Sequence, residues 1–115
     1  MDTFDSALAR PDLRLERIRT DGVICFTVAG EVDMTTGEYF RQSLTQALDE
    51  RGVTRLLLDV APLRFIDSNG VGVLVRTRRA AGERGVDFGL VNAHGVVRSV
   101  LEMLGVYEML AAEGG

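Results

Sequence analysis

The stretch Arg55–Val75 reads RLLLDVAPLRFIDSNGVGVLV, and its two ends follow different rules. Arg55–Val60 is a nearly unbroken apolar run of strand length, the pattern of a strand covered on both faces. Beyond Ser68 the period changes. Val71, Leu74 and Val75 fall on one side of a helix together with Arg78, while Arg76, Arg79 and Glu83 take the other. Gly82 and Gly85 end it. A strand followed within a few residues by a helix is the building unit of an α/β sheet.

Between the two halves stand Asp67, Ser68, Asn69 and Gly70. A helix start leaves backbone amides without partners, and Asp67 or Ser68 can accept from one of them, worth about 1 kcal/mol. Gly70 and Gly72 then permit close packing of the turn. Capping accounts for one polar residue, but not for three before a glycine and after Phe65 and Ile66. A second reading makes Ser68 the working group of an exposed helix start. The open amides and the helix dipole favour negative charge there, by roughly 0.3–1 kcal/mol. A phosphate on Ser68 adds about −1.5 to −2 charges beside Asp67, enough to repel an acidic group or block a docking partner. On the residues alone, cap and switch stand side by side.

Working outward, Leu13 and Leu15 alternate with polar residues as in a short strand, and Thr20-Asp21-Gly22 supplies a hairpin turn with glycine at the position of positive φ. Val23–Gly30 is the second strand, with Ile24, Phe26 and Val28 on one face and Val23, Cys25, Thr27 and Ala29 on the other. The segment from Glu31 is a loop leading into a helix. Thr35 and Glu38 have capping-box spacing, Phe40, Leu44, Ala47 and Leu48 form the apolar stripe, and Gly52 stops it. Val86–Val91 reads as a strand. The next helix carries Val97, Val100, Leu101 and Leu104 with Gly105 as its cap, and Tyr107, Met109 and Leu110 are expected to pack back on the body. Hairpin, helix, strand, helix, strand, helix is an α/β order, with a mixed, mostly parallel sheet of about four to five strands and helices packed against it. Residues 1–11, closed by Pro11, are expected to form a flexible N-terminal arm, and residues 12–115 a single domain.

Composition narrows the function. The chain of 115 residues has a net charge of −4, and all of its positive charge is arginine. That balance argues against direct nucleic-acid binding and against an anionic membrane surface, and suits a protein partner with a basic face. There is no span of membrane-crossing length and no secretory leader, so a cytoplasmic protein is expected. Cys25, the one cysteine, reads as a small buried hydrophobe. No histidine or cysteine cluster suggests a metal, and no Walker lysine or Gly-x-Gly-x-x-Gly follows Gly70 and Gly72. His94, the single histidine, reads as a loop or capping residue, and Ser68 is not in a Gly-x-Ser-x-Gly elbow. Arg76, Arg78 and Arg79 read as a solvated helix face.

Four pieces of the chain, in order, resemble the STAS domain, and specifically the anti-sigma factor antagonists. They are VAGEVDMTT (28–36), LLLDVAPLRFID (56–67), FIDSNGVGVLV (65–75) and VRSVLEMLGVYEML (97–110). The resemblance runs from about Leu13 to Leu110. It implies a single STAS-type domain that is not an enzyme and holds no cofactor. It implies binding, in the unphosphorylated state, to an anti-sigma factor that is also a serine kinase, which frees a sigma factor. Phosphorylation of the serine after the motif aspartate, here Ser68, ends the complex, and a serine phosphatase resets it. Asp67 shapes the turn, and Asn69 and Gly70 let the kinase approach. By the same resemblance Glu31 and Asp33 lie beside Ser68 as candidate contacts for a partner arginine. A solvated loop in which Asp33 helps start the helix is an equal reading. The family's second serine is Asn69 here, so Ser68 has no spare acceptor beside it, and Asn69-Gly70 is a deamidation-prone pair in flexible loops. The alternative within the fold is a scaffold or accessory subunit of a sensory complex or of a lipid or anion transport system. A Ser-His-Asp hydrolase would need His94 to reach Ser68.

Overall fold

The computed structural model describes residues 12–112, so the arm expected for residues 1–11 lies outside the described residues. Strands β1 (Leu13–Thr20) and β2 (Val23–Val32) form the expected antiparallel hairpin. At its turn the positive φ falls on Asp21 (54°), not on Gly22. Gly22 is needed for a different reason: a Cβ there would lie 2.8 Å from the Gly52 carbonyl oxygen.

β2 is the hub of the sheet. Its first half pairs in parallel with β3 (Arg55–Asp59), and its end, Gly30–Val32, pairs in parallel with β4 (Leu63–Ile66). β3 pairs in parallel with β5 (Asp87–Val91), giving the order β1-β2-β3-β5 with β4 beside the end of β2. The sheet is therefore mixed and mostly parallel, as expected. β4 is the strand the sequence pattern does not announce. Leu63 and Ile66 are buried while Arg64 and Phe65 face out, so the short segment breaks the alternation that marks a strand.

The chain passes from β2 to β3 through α1 (Gly37–Leu48) and from β3 to β5 through β4 and α2 (Ser68–Glu83). Both crossovers step the same way across the sheet, so the right-handed rule places α1 and α2 on one face, where they touch each other. Ile24, Phe26 and Val28 of β2 and Leu56 and Leu58 of β3 meet Phe40, Leu44, Leu48, Val71 and Leu74 in one core. β3 corrects the expectation of two covered faces: Leu56 and Leu58 are fully buried, but Arg55, Leu57 and Asp59 are only half-buried. In α2 the inward stripe is Gly70, Val71, Val73, Leu74, Thr77 and Ala81. Arg78, expected on that side, is exposed, and Thr77 takes the place, its hydroxyl donating to the Val73 carbonyl at 2.7 Å.

The chain ends with α3 (Gly95–Met103) and α4 (Tyr107–Leu110). Leu110 is buried as expected, whereas Met109 and Leu104 are exposed. Beyond α4, Ala111 bridges Leu90, and the Ala112 amide donates to the Leu90 carbonyl at 2.8 Å, which covers the outer edge of β5. At the opposite edge, Glu50 at the end of α1 is held by Arg17 and Arg19 of β1.

Candidate functional site

The carboxyl ends of parallel strands are where open α/β sheets place their working loops. Here two such segments meet: the loop from β2 to α1, and the turn from β4 into α2. They are joined by the Asp67 amide, which donates to the Val32 carbonyl at 3.1 Å, and by the Asn69 side chain, which covers the first residue of α1. A Cβ on Gly37 would lie 2.6 Å from Asn69 Nδ2.

The choice of cap left open by the sequence is resolved for Asp67. It is the N-cap of α2 in extended conformation, and its Oδ1 accepts from the Gly70 amide at 2.8 Å. The Asp67 carbonyl accepts from the Val71 amide at 2.9 Å. Ser68, the first residue of the helix, is therefore free of capping duty. It is exposed, and its hydroxyl has no hydrogen-bond partner among the described residues. Asn69 is exposed beside it, and Gly70 is buried. The space that Gly70 leaves is on the inner side. A Cβ there would come within 2.7 Å of Ile66 Cγ1 and of Val32 Cγ1, so the glycine lets the helix start sit against the sheet.

The β2–α1 loop is built by its own polar side chains. Gly30, with φ 109°, marks a register shift in the pairing of β2 with β4, and the Glu31 amide then donates to the Asp12 carbonyl at 2.7 Å. Asp33 Oδ1 accepts from the Thr35 amide at 2.9 Å and the Thr35 hydroxyl at 2.8 Å. The Thr35 hydroxyl is the main cause holding the Asp33 carboxyl below its ordinary value. The expected capping box of Thr35 and Glu38 does not form. Thr36 is the N-cap of α1, Asp33 gathers the loop amides, and Glu38 instead bonds Arg41 and Gln42 on the helix surface. Thr36, which the sequence reading passed over, is the buried polar residue of the site. Its hydroxyl donates to the Glu31 carbonyl and accepts from the Asp33 amide, each at 3.0 Å. The signal was the second threonine directly before a helix-opening glycine.

Glu31, Asp33, Asp67, Ser68, Asn69 and Gly70 are thus brought to one end of the molecule. Glu31 pairs with Phe65 in the sheet register, and its carboxylate lies 3.6 Å from Arg64. The surface is acidic around an unbonded hydroxyl. It does not assemble a hydrolytic triad: His94 Nε2 donates to the Ala61 carbonyl at 2.9 Å, and the Asp67 carboxylate is engaged by Gly70. Among the described residues the Ser68 hydroxyl is exposed and has no hydrogen-bond partner. No cluster of potential metal ligands is present among the described residues, and none of their helices is long and apolar enough to cross a membrane. Cys25 is half-buried, and burial pushes its thiol above the ordinary value.

This arrangement has counterparts. The chain is 24% identical over 99 residues to the anti-sigma F factor antagonist of Paenibacillus polymyxa, covering 86% of this chain and 85% of that protein. It superposes on the unphosphorylated form of the anti-sigma factor antagonist SpoIIAA with a TM-score of 0.73 at 26% identity, covering 89% of this chain and 90% of the other. The phosphorylated form of SpoIIAA, the Bacillus cell fate determinant, gives 0.66 at 25% identity, covering 89% and 93%. The family model for the STAS domain matches residues 14–113, which include both loops of the site and every strand but the first residue of β1. The chain belongs to the STAS domain family.

Proposed function

We propose that this protein is an anti-sigma factor antagonist whose partner is exchanged by phosphorylation of Ser68. Unphosphorylated, it binds an anti-sigma factor with serine kinase activity in the cytoplasm and so frees a sigma factor. Phosphorylated, it is released, and a serine phosphatase restores it. The protein acts as a binding partner and a kinase substrate, without a cofactor of its own.

The observation that carries this reading is the position of the Ser68 hydroxyl. It is exposed and unbonded at the start of a 16-residue helix, beside a carboxylate that already fixes the turn. A phosphate there has the Ser68 and Asn69 amides as donors, so the fold accommodates the modification while the surface changes by about −1.5 to −2 charges. Glu31, Asp33 and Asp67 already make that surface negative, which suits a cationic rim on the partner before modification; the phosphate ends the complex by standing in the docked contact and repelling an acidic group of the partner that faces Ser68. The names of the relatives point the same way, and SpoIIAA has structures in both forms.

The test is incubation with the cognate anti-sigma factor and ATP, read by intact mass and by a binding titration. One phosphate is expected on the wild type and none on Ser68→Ala, which binds but resists release by ATP. Ser68→Asp is expected to melt near the wild-type temperature and to bind much more weakly. Undiminished affinity of Ser68→Asp sinks the electrostatic switch.

A further inference from the structure

We infer that Met34 and Phe65 are the apolar anchors of this partner interface, holding the complex together while the carboxylates around Ser68 only guide its approach. The inference rests on the function proposed above.

Met34 is 81% exposed in the loop from β2 to α1, and Phe65 is 40% exposed on β4. These are the two segments that meet at Ser68. Phe65 stands in register with Glu31, two residues beyond Glu31 comes Asp33, and Met34 follows it. Other large apolar side chains are exposed, but they lie on β1, α3, the turn after α3 and α4. Neither Met34 nor Phe65 belongs to the core cluster.

The carboxylates are partly committed within the protein, Asp33 and Asp67 through one oxygen each. Asp33 Oδ1 is taken by Thr35, Asp67 Oδ1 by the Gly70 amide, and Glu31 faces Arg64 at 3.6 Å. A partner cation gains only what these groups have left, in solvent that screens it. Rim charges of this kind set the association rate and its salt dependence more than the lifetime. Lifetime comes from large side chains buried at the centre. The partner face that fits has two apolar sockets with basic residues around them.

The experiment measures association and dissociation with the cognate anti-sigma factor, by surface plasmon resonance at several salt concentrations. Met34→Ala and Phe65→Ala are each expected to dissociate about tenfold faster, equal to about 1.4 kcal/mol, with the salt slope of association unchanged. Glu31→Gln is expected to slow association and flatten that slope, with dissociation little altered. In Ser68 phosphorylation assays the two apolar variants raise KM and leave the saturated rate unchanged. Wild-type dissociation rates in both apolar variants overturn the inference while leaving the function standing. No binding by the wild-type protein overturns the function and the inference with it. Should Phe65→Ala melt early, Met34→Ala decides alone, since its side chain is mostly in solvent.

Discussion

Alanine at position 70 is the sharpest probe of how Ser68 is presented. The added methyl would stand 2.7 Å from Ile66 Cγ1, 2.7 Å from Val32 Cγ1 and 3.2 Å from Ile66 Cδ1. Carbon atoms are at ease at about 3.5–4.0 Å, so the two closest contacts are short by roughly 1 Å. Neither neighbour has room to swing: Val32 is 0% and Ile66 1% exposed, on two different strands. Overpacking of this kind costs about 1–3 kcal/mol. Alanine's better helix propensity offsets at most about 1 kcal/mol of it. With two short contacts against side chains that cannot move, the overpacking cost lies at the middle of its range, about 2 kcal/mol, and the net loss of about 1–2 kcal/mol lowers the melting temperature by about 4–12 °C for a domain of this length. Circular dichroism melts of Gly70→Ala, Val32→Ala and the double variant make the measurement. Val32→Ala removes one of the colliding methyls, so Gly70→Ala should cost less in that background, with a coupling of at least about 0.5 kcal/mol. A Gly70→Ala protein that melts at or above the wild type would falsify the close approach, because propensity alone raises stability.

Two further outcomes follow from the site and the surface around it. Asp67→Ala removes the side-chain cap and should cost about 1 kcal/mol in a denaturant titration. It also frees the Gly70 amide, the nucleophile of Asn69 deamidation, so mass spectrometry after storage should show faster conversion of Asn69 than in wild type; an equal rate refutes this protective role. Glu50 is held at about 2, below its ordinary 4.5, chiefly by its hydrogen bond from Arg17 and then by Arg19. Its carboxyl is depressed on folding, so its contribution is present above pH 4.5 and is lost as pH falls toward about 2. The stability gap between wild type and Glu50→Gln should therefore close over that window, and should shrink with added salt because the group lies at the surface. A gap that stays constant with pH speaks against the ion pairs.

The sequence carried the elements whose periodicity is strong. Ile24, Phe26 and Val28 alternate because β2 has one face on the core, and Phe40, Leu44 and Leu48 recur because α1 lies on that face. Asp67, Ser68 and Gly70 were legible as a helix start, although only coordinates divide their tasks into cap, exposed hydroxyl and close contact. What was illegible depends on tertiary pairing. β4 is made a strand by the free edge of β2 rather than by its own pattern. Thr36 rather than Thr35 takes the N-cap position of α1, and its hydroxyl is turned back across the loop to the Glu31 carbonyl and the Asp33 amide instead of capping the helix. Arg78 and Leu104 fall outside the expected stripes: both are exposed, and Leu104 is the C-cap of α3 rather than part of its apolar face.

If Ser68 is modified as proposed, its place in the first turn of α2 also limits what kind of enzyme can reach it. Many modifying enzymes thread an extended stretch of chain into a cleft, and this serine cannot be offered that way without unwinding its helix. A peptide spanning residues 60–75 is too short to keep a helix in water, so it would be a poor substitute for the whole domain. Recognition must therefore be of shape, assembled from segments far apart along the chain. On the proposed switch, other Asp-Ser pairs would go unread for the same reason, and a half-made copy of this protein would go unmarked until it had folded.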